Sequence, residues 1–125
     1  MIESKKKVLI IDDDLDYLHL LQETLEANFF QCITASSAQE GLEKAKHEHP
    51  NLIILDLMLP VMSGYGFIRT LKSQSDLEKI PVVALTALAD EEIAMEMMRL
   101  GAKGYLSKAC DAKELITMIQ EYAAA

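Results

Sequence analysis

Val8-Leu9-Ile10-Ile11-Asp12-Asp13-Asp14 sets a short apolar run directly against three carboxylates. Four apolar residues with no polar alternation suit a strand buried on both faces. Such strands belong to parallel sheets covered by helices on either side. A second run, Leu52-Ile53-Ile54-Leu55, ends the same way, on Asp56. Carboxylates at buried strand ends repel one another unless something offsets them. The usual offset is a hard divalent cation, which takes oxygen ligands. In open α/β sheets, ligands gather outside the carboxyl ends of the strands. The spacing therefore predicts a metal-dependent acidic pocket at one rim of a parallel sheet.

The rest of the chain alternates in the same manner. Leu18, Leu21, Leu25 and Phe29 recur at helical spacing after the first strand. Cys32-Ile33-Thr34-Ala35 reads as a second strand. Ser36 or Ser37 caps the next helix, with Glu40 completing a capping box with Ser37. Ala38, Leu42 and Ala45 mark the inner face of that helix, and Pro50 closes it. Beyond Asp56, the residues Pro60, Ser63, Gly64 and Gly66 punctuate a long turn before a helix carrying Phe67, Ile68 and Leu71. Pro81-Val82-Val83-Ala84-Leu85 is the fourth strand, with proline at its first position. A helix through Ile93, Met97 and Leu100 stops at Gly101. Gly104-Tyr105-Leu106-Ser107 is the fifth strand. Asp111 caps a last helix with Leu115, Ile119 and Tyr122 facing inward. Strands joined by helices must be parallel with right-handed crossovers. The expectation is a three-layer, doubly wound α/β sandwich of five parallel strands and five helices, forming one domain over residues 1–125.

Bulk properties narrow the function. A chain of 125 residues suits one domain with a modest core. Twelve basic and twenty acidic residues leave a net charge of −8, which opposes non-specific binding to nucleic acid. The same balance favours solubility, or a partner with a basic patch. Cys32 and Cys110 form no C-x-x-C pair and have no histidine at metal spacing, so they read as reduced and cytoplasmic. No apolar stretch approaches the roughly 20 residues needed to span a bilayer. The lysines of Met1–Lys7 have no signal-peptide apolar region behind them, which argues against secretion. His19, His47 and His49 have no metal-ligand companions and read as solvated helix residues.

Under most strand orders the first and third strands are neighbours, so Asp12, Asp13 and Asp56 converge. Asp14, nearest the first helix, reads as its cap. Thr86 closes the fourth strand and Lys108 the fifth. A hydroxyl and an ammonium beside three carboxylates suggest room for an additional anion at the same rim.

On these residues the chain resembles the receiver domain of two-component response regulators, in the style of single-domain chemotaxis regulators. The resemblance rests on Ile10-Ile11-Asp12-Asp13-Asp14 and on Asp56-Leu57-Met58-Leu59-Pro60-Val61-Met62-Ser63-Gly64. It rests also on Leu85-Thr86-Ala87 and on Gly101-Ala102-Lys103-Gly104-Tyr105-Leu106-Ser107-Lys108. It covers essentially the whole chain and implies a flavodoxin-like sheet of order 2-1-3-4-5. Asp56 would then be the phosphoacceptor, taking a phosphoryl group from a phosphohistidine or a small phosphodonor. That is nucleophilic catalysis by a carboxylate. Asp13 would ligate Mg²⁺, or Mn²⁺ in its place. Asp12 would do so mainly through water, and the Met58 backbone carbonyl would join them. Lys108 would pair with a phosphoryl oxygen, and small Ala87 would leave the phosphate room to approach. Thr86 and Tyr105 would form the switch, read out on the surface of the fourth helix, fifth strand and fifth helix. The implied partners are a sensor histidine kinase or phosphotransfer protein, and a downstream protein or output domain. No direct contact of this domain with nucleic acid and no membrane span are expected. The domain would be regulatory, catalysing only its own phosphorylation and dephosphorylation.

Two departures from the family pattern carry expectations of their own. Ala109 follows Lys108 where the family usually has proline after a cis bond. A cis bond before a non-proline residue costs about 2.5–4 kcal/mol, so a trans bond is expected. Met58 and Leu88 are both apolar where polar side chains can orient a hydrolytic water, which predicts a long-lived phosphoryl group. Met95 and Met98 lie off the apolar stripe of the fourth helix, and half-buried and partner-facing positions both remain open for them. Cys110, near Lys108, reads as a free structural thiol.

Two other readings compete. A haloacid-dehalogenase-type phosphatase also places Asp-x-Asp after its first strand, but normally has extra length and a second acidic pair late in the chain. Here Asp90-Glu91-Glu92 begins a helix rather than ending a strand. A flavodoxin-type flavin module needs hydroxyls and amides in its first loop, whereas this loop is all carboxylate.

Overall fold

The structure, a computed structural model, describes residues 5–57, 64–87 and 91–123. Met58 and Leu88 lie outside the described residues, and Thr86 is placed by its backbone alone. The strands are β1 (Lys7–Ile11), β2 (Gln31–Ala35), β3 (Leu52–Leu55), β4 (Val82–Thr86) and β5 (Gly104–Ser107). The helices are α1 (Leu15–Ala27), α2 (Ala38–Glu48), α3 (Gly64–Lys72), α4 (Glu91–Leu100) and α5 (Ala112–Ala123). All strands pair in parallel in the order β2-β1-β3-β4-β5. This is the doubly wound, flavodoxin-like arrangement expected from the alternating pattern.

Residue parity along each strand divides the core in two. Leu9, Ile11, Ile53, Leu55, Val82 and Ala84 pack with Phe67, Leu71 and Met97, on the side of α2, α3 and α4. Val8, Ile10, Leu52, Ile54, Val83 and Leu85 pack with Leu18, Leu25, Leu115 and Ile119, on the side of α1 and α5. Both faces of β1 and β3 are covered, which is why these strands read as unbroken apolar runs. Helix α2 approaches β1 closely at Gly41. A Cβ there would meet the fully buried Ile11, whose Cγ1 would lie 2.9 Å away.

Caps agree largely with the sequence. Ser37 Oγ accepts the Glu40 N–H at 3.1 Å, while the Glu40 carboxylate accepts from the Ser36 N–H at 2.7 Å. The return bond therefore reaches one residue further back than a capping box on Ser37 alone would place it. Asp111 Oδ1 accepts the Glu114 N–H at 2.8 Å. Gly101, at φ 118°, turns the chain after α4, with the Ala102 N–H donated to the Met97 carbonyl.

Phe29 departs from the sequence reading. Its helical spacing places it on the first helix, but α1 ends at Ala27. Phe29 sits in the left-handed region at φ 68° with 79% of its surface exposed. The Phe30 N–H reaches back to the Leu25 carbonyl and the Phe29 N–H to that of Glu26, so Phe29 holds a C-terminal turn normally given to glycine. Phe30 takes the buried place, at 7% exposure. A bulky side chain in this conformation is strained, and here little packing offsets the strain. Phe29→Gly should stabilise the protein by about 0.5–1 kcal/mol, a net of relieved strain over glycine's larger unfolded-state entropy. Urea unfolding checks this, and a lower midpoint for the variant would contradict it.

Candidate functional site

Strand register brings the acidic residues together. Ile11 pairs with Leu55 across β1 and β3, so Asp12 and Asp56 leave the sheet side by side. Their backbones continue the ladder for one more step: Asp12 N–H donates to the Ala35 carbonyl and Asp56 N–H to that of Ile11, both at 3.0 Å. Asp12 and Asp56 are buried, at 2% and 6% exposure, and Asp13 is exposed. One carboxylate oxygen from each of Asp12, Asp13 and Asp56 lies within 4.8 Å of the others.

The local turn is fastened by its own side chains. Asp12 Oδ1 accepts the Asp14 N–H at 2.9 Å. Asp14 Oδ1 in turn accepts the Tyr17 N–H at 3.2 Å, which makes Asp14 the N-cap of α1. Asp14 is thus the cap the sequence suggested, and the acidic cluster is tied to the first turn of the helix.

Lys108 reaches the cluster from the end of β5. Its Nζ lies 2.5 Å from Asp12 Oδ2 and 3.4 Å from Asp56 Oδ2. It follows Leu106, which packs on the α1 and α5 side, as Asp12 follows Ile10 and Asp56 follows Ile54. The three charged groups therefore continue one parity of three strands. No peptide bond among the described residues is cis, so Lys108–Ala109 is trans, as the missing proline predicts. The turn after Lys108 is held at Ser107, whose Oγ accepts the Ala109 N–H and whose carbonyl accepts that of Cys110.

Burial pushes the Asp12 carboxyl above the usual range, and the Asp56 charge adds to this against the pull of Lys108. Burial alone would lower the Lys108 ammonium, but its hydrogen bond and charge attraction to Asp12, and its attraction to Asp56, outweigh that and raise it. The Lys108 ammonium thus meets two carboxylates of a cluster of three. An all-oxygen donor set with excess negative charge at this spacing fits a hard divalent cation.

The sequence reading passed over Tyr17. Its ring lies under Lys108, with Nζ 4.7 Å from the ring centroid. Burial raises its phenol well above the ordinary value, so the ring is neutral. Its place one turn after Asp14 and one turn before the buried Leu21 was visible, but its partner lies at the far end of the chain. Beside it, a groove of about 120 Å³ opens between α1 and α5, lined by Leu20, Lys108, Cys110 and Leu115 among others.

The remaining candidates fall around this rim. Thr86 ends β4 and pairs in register with Ser107. Ala87 follows it and is exposed. Tyr105 pairs with Ala84, and its half-buried side chain packs against the core on the α2, α3 and α4 side. Met95 and Met98 are exposed on α4, at 60% and 48%. Both cysteines are free.

Residues 8–120 match the family model described as "Response regulator receiver domain". The chain belongs to the response regulator receiver family. Among curated relatives, this receiver domain is 38% identical over 116 residues to the "Probable transcriptional regulator ycf27" of Porphyridium aerugineum, covering 93% of the chain and 47% of that protein. It is 37% identical over 110 residues to the "Alkaline phosphatase synthesis transcriptional regulatory protein PhoP" of Bacillus subtilis, covering 88% of the chain and 45% of that protein. The receiver domain thus spans about half the length of these relatives. Among solved structures, the chemotaxis protein CheY4 of Vibrio cholerae superposes with a TM-score of 0.89 at 30% identity, covering 94% of this chain and 98% of that one. The chain is thus a receiver domain of two-component response regulators, with a regulatory role. The phosphatase and flavin-module readings are not favoured. No helix among the described residues is long and apolar enough to cross a membrane.

Proposed function

We propose that this receiver domain accepts a phosphoryl group on Asp56. The observation carrying the proposal is the approach of Lys108 Nζ to both Asp12 and Asp56, inside a cluster that also contains Asp13. An Asp56 oxygen attacks phosphorus in line. The N–P bond of a partner's phosphohistidine breaks as the O–P bond forms, and the imidazole departs with the electron pair and takes a proton from solvent. Little covalent work falls to the protein, so positioning and charge stabilisation dominate. Asp13 would hold Mg²⁺ directly, Asp12 mainly through water, and the Met58 carbonyl would complete the protein's share. When bound, the ion offsets charge on the carboxylates and on the phosphoryl oxygens. Lys108 pairs with a phosphoryl oxygen once its neighbours release it. Ala87 leaves that oxygen space.

The new charge biases Thr86 and Tyr105, and the signal leaves through the surface of α4, β5 and α5. The exposed Met95 and Met98 on α4 support an adaptable contact there. The phosphodonor is a sensor histidine kinase or phosphotransfer protein in the cytoplasm, and the recipient is a downstream protein or output domain. Residues 1–125 act as one receiver unit.

The test is intact mass after incubation with a small phosphodonor. Protein with Mg²⁺ should gain the mass of one phosphoryl group, and protein with a chelator should not. No gain with Mg²⁺ would overturn the reading. Met58 and Leu88 put apolar side chains at the two positions where polar ones would orient the hydrolytic water. The label should therefore persist for minutes or longer after donor removal with Mg²⁺ present, and loss within seconds would contradict this.

A further inference from the structure

The Tyr17 ring is a partner of Lys108 for which the phosphoacceptor reading has no role. Nζ stands 4.7 Å from the ring centroid, inside the roughly 6 Å within which an ammonium is attracted to a ring face. The ring is itself well anchored. Its backbone N–H is donated to Asp14 Oδ1, and the Asp14 N–H to Asp12 Oδ1. Tyr17 therefore moves with the acidic cluster rather than with the loop that carries Lys108.

That loop leaves the ammonium dependent on such partners. Ala109 follows Lys108 through a trans bond, and among the described residues the hydrogen bonds of the turn fasten Ser107, Ala109 and Cys110. Asp12 Oδ2 holds the ammonium at 2.5 Å, yet Asp12 is also one of the three residues suited to a cation. Asp12 Oδ1 is already engaged by the Asp14 N–H. Whenever Oδ2 is drawn toward a cation, the ammonium loses its shortest contact. The ring face remains, on an element that does not change partners.

We propose that Tyr17 is a positioning residue, whose ring face keeps the Lys108 ammonium beside Asp56 during phosphoryl transfer. This rests on the reading of Asp56 as phosphoacceptor. The face of the ring acts, and the hydroxyl does not, so phenylalanine replaces it and an aliphatic side chain does not.

The test compares wild type with Tyr17→Phe, Tyr17→Leu and Tyr17→Met, all confirmed as folded by thermal melting. Two aliphatic variants guard against one that fails to fold. The first readout needs no phosphodonor. With Mg²⁺ present, the Lys108 ε-methylene protons should show an upfield ring-current shift in wild type and Tyr17→Phe that vanishes in both aliphatic variants. The second is phosphoryl uptake from a small phosphodonor. The maximal rate should stay within about twofold in Tyr17→Phe and fall about fivefold in Tyr17→Leu and Tyr17→Met, with donor half-saturation unchanged. Equal rates in wild type and the aliphatic variants would overturn the proposal, as would Tyr17→Phe failing as they do. A wild type that shows the ring-current shift but takes no phosphoryl group would overturn the phosphoacceptor reading, and with it the catalytic half of this one.

Discussion

Asp56→Asn will leave the protein folded and unable to take up a phosphoryl group. The amide that replaces the carboxylate is a poor nucleophile and cannot form a stable acyl phosphate, so uptake from a small phosphodonor should fall below detection by intact mass. The substitution keeps the side-chain volume, and β3 and its pairing with β1 are untouched. The same change should stabilise the metal-free fold. Asp12 is 2% exposed, and burial, with the Asp56 charge adding to it, raises its carboxyl against the pull of Lys108 and of the Asp14 N–H. A carboxyl raised in the fold costs stability as pH climbs from the ordinary carboxylate range through the folded value. That cost reaches its full size above the folded value. Removing the Asp56 charge removes part of it, for a gain of about 1 kcal/mol in chelator. Urea unfolding at neutral pH checks this second half. A labelled Asp56→Asn protein would mean that another residue accepts the phosphoryl group. A folded but less stable variant would mean that Lys108 holds Asp56 more firmly than the acidic neighbours repel it.

What could be read from the sequence follows from how local the cause is. The run Val8–Ile11 announced a strand buried on two faces because both helix layers close over it, and Leu9 and Val8 indeed pack into different clusters. Asp12, Asp13 and Asp56 were legible because a strand end is a fixed place in a parallel sheet. Asp14 was legible because helix caps are made within a few residues. Phe29 was misread for the opposite reason. Its spacing continued the Leu18–Leu21–Leu25 stripe, but Asn28 and Phe29 close the helix without the glycine that would have signalled the turn. The fourth strand shifted by one residue, from Pro81–Leu85 to Val82–Thr86, because β3 and β5 set its pairing. Tyr17 carried no signal beyond an amphipathic position, since its contact with Lys108 exists only once α1 and the end of β5 meet.

Lys108→Met should move phosphorylation and cation affinity in opposite directions. Methionine keeps the length of the stem over Tyr17 and removes the charge. Loss of a donor aimed at a developing phosphoryl charge costs on the order of 10²-fold in rate, by analogy with other preorganised anion sites. In the metal-free protein the ammonium lies 2.5 Å from Asp12 and 3.4 Å from Asp56. Removing it takes this counter-charge from two buried carboxylates. The fold should lose about 2 kcal/mol in chelator at neutral pH, less than for a fully buried pair because the Lys108 side chain is 20% exposed. Lys108 is raised in the fold above its ordinary 10.5. Its contribution is therefore fully present below that value, and the gap between wild type and variant closes as pH rises through the folded one. The ammonium also engages Asp12, one of the three residues suited to a cation. Without it, Mg²⁺ meets the three carboxylates free of the ammonium's competition, and its dissociation constant should drop about tenfold. Titrating Mg²⁺ against unfolding in urea reads both effects in one series: the variant begins less stable and gains more from the ion. A variant that binds Mg²⁺ no better than wild type would mean that ammonium and cation do not share Asp12, and the acidic cluster would then have to bind the ion elsewhere than at the rim where Lys108 sits.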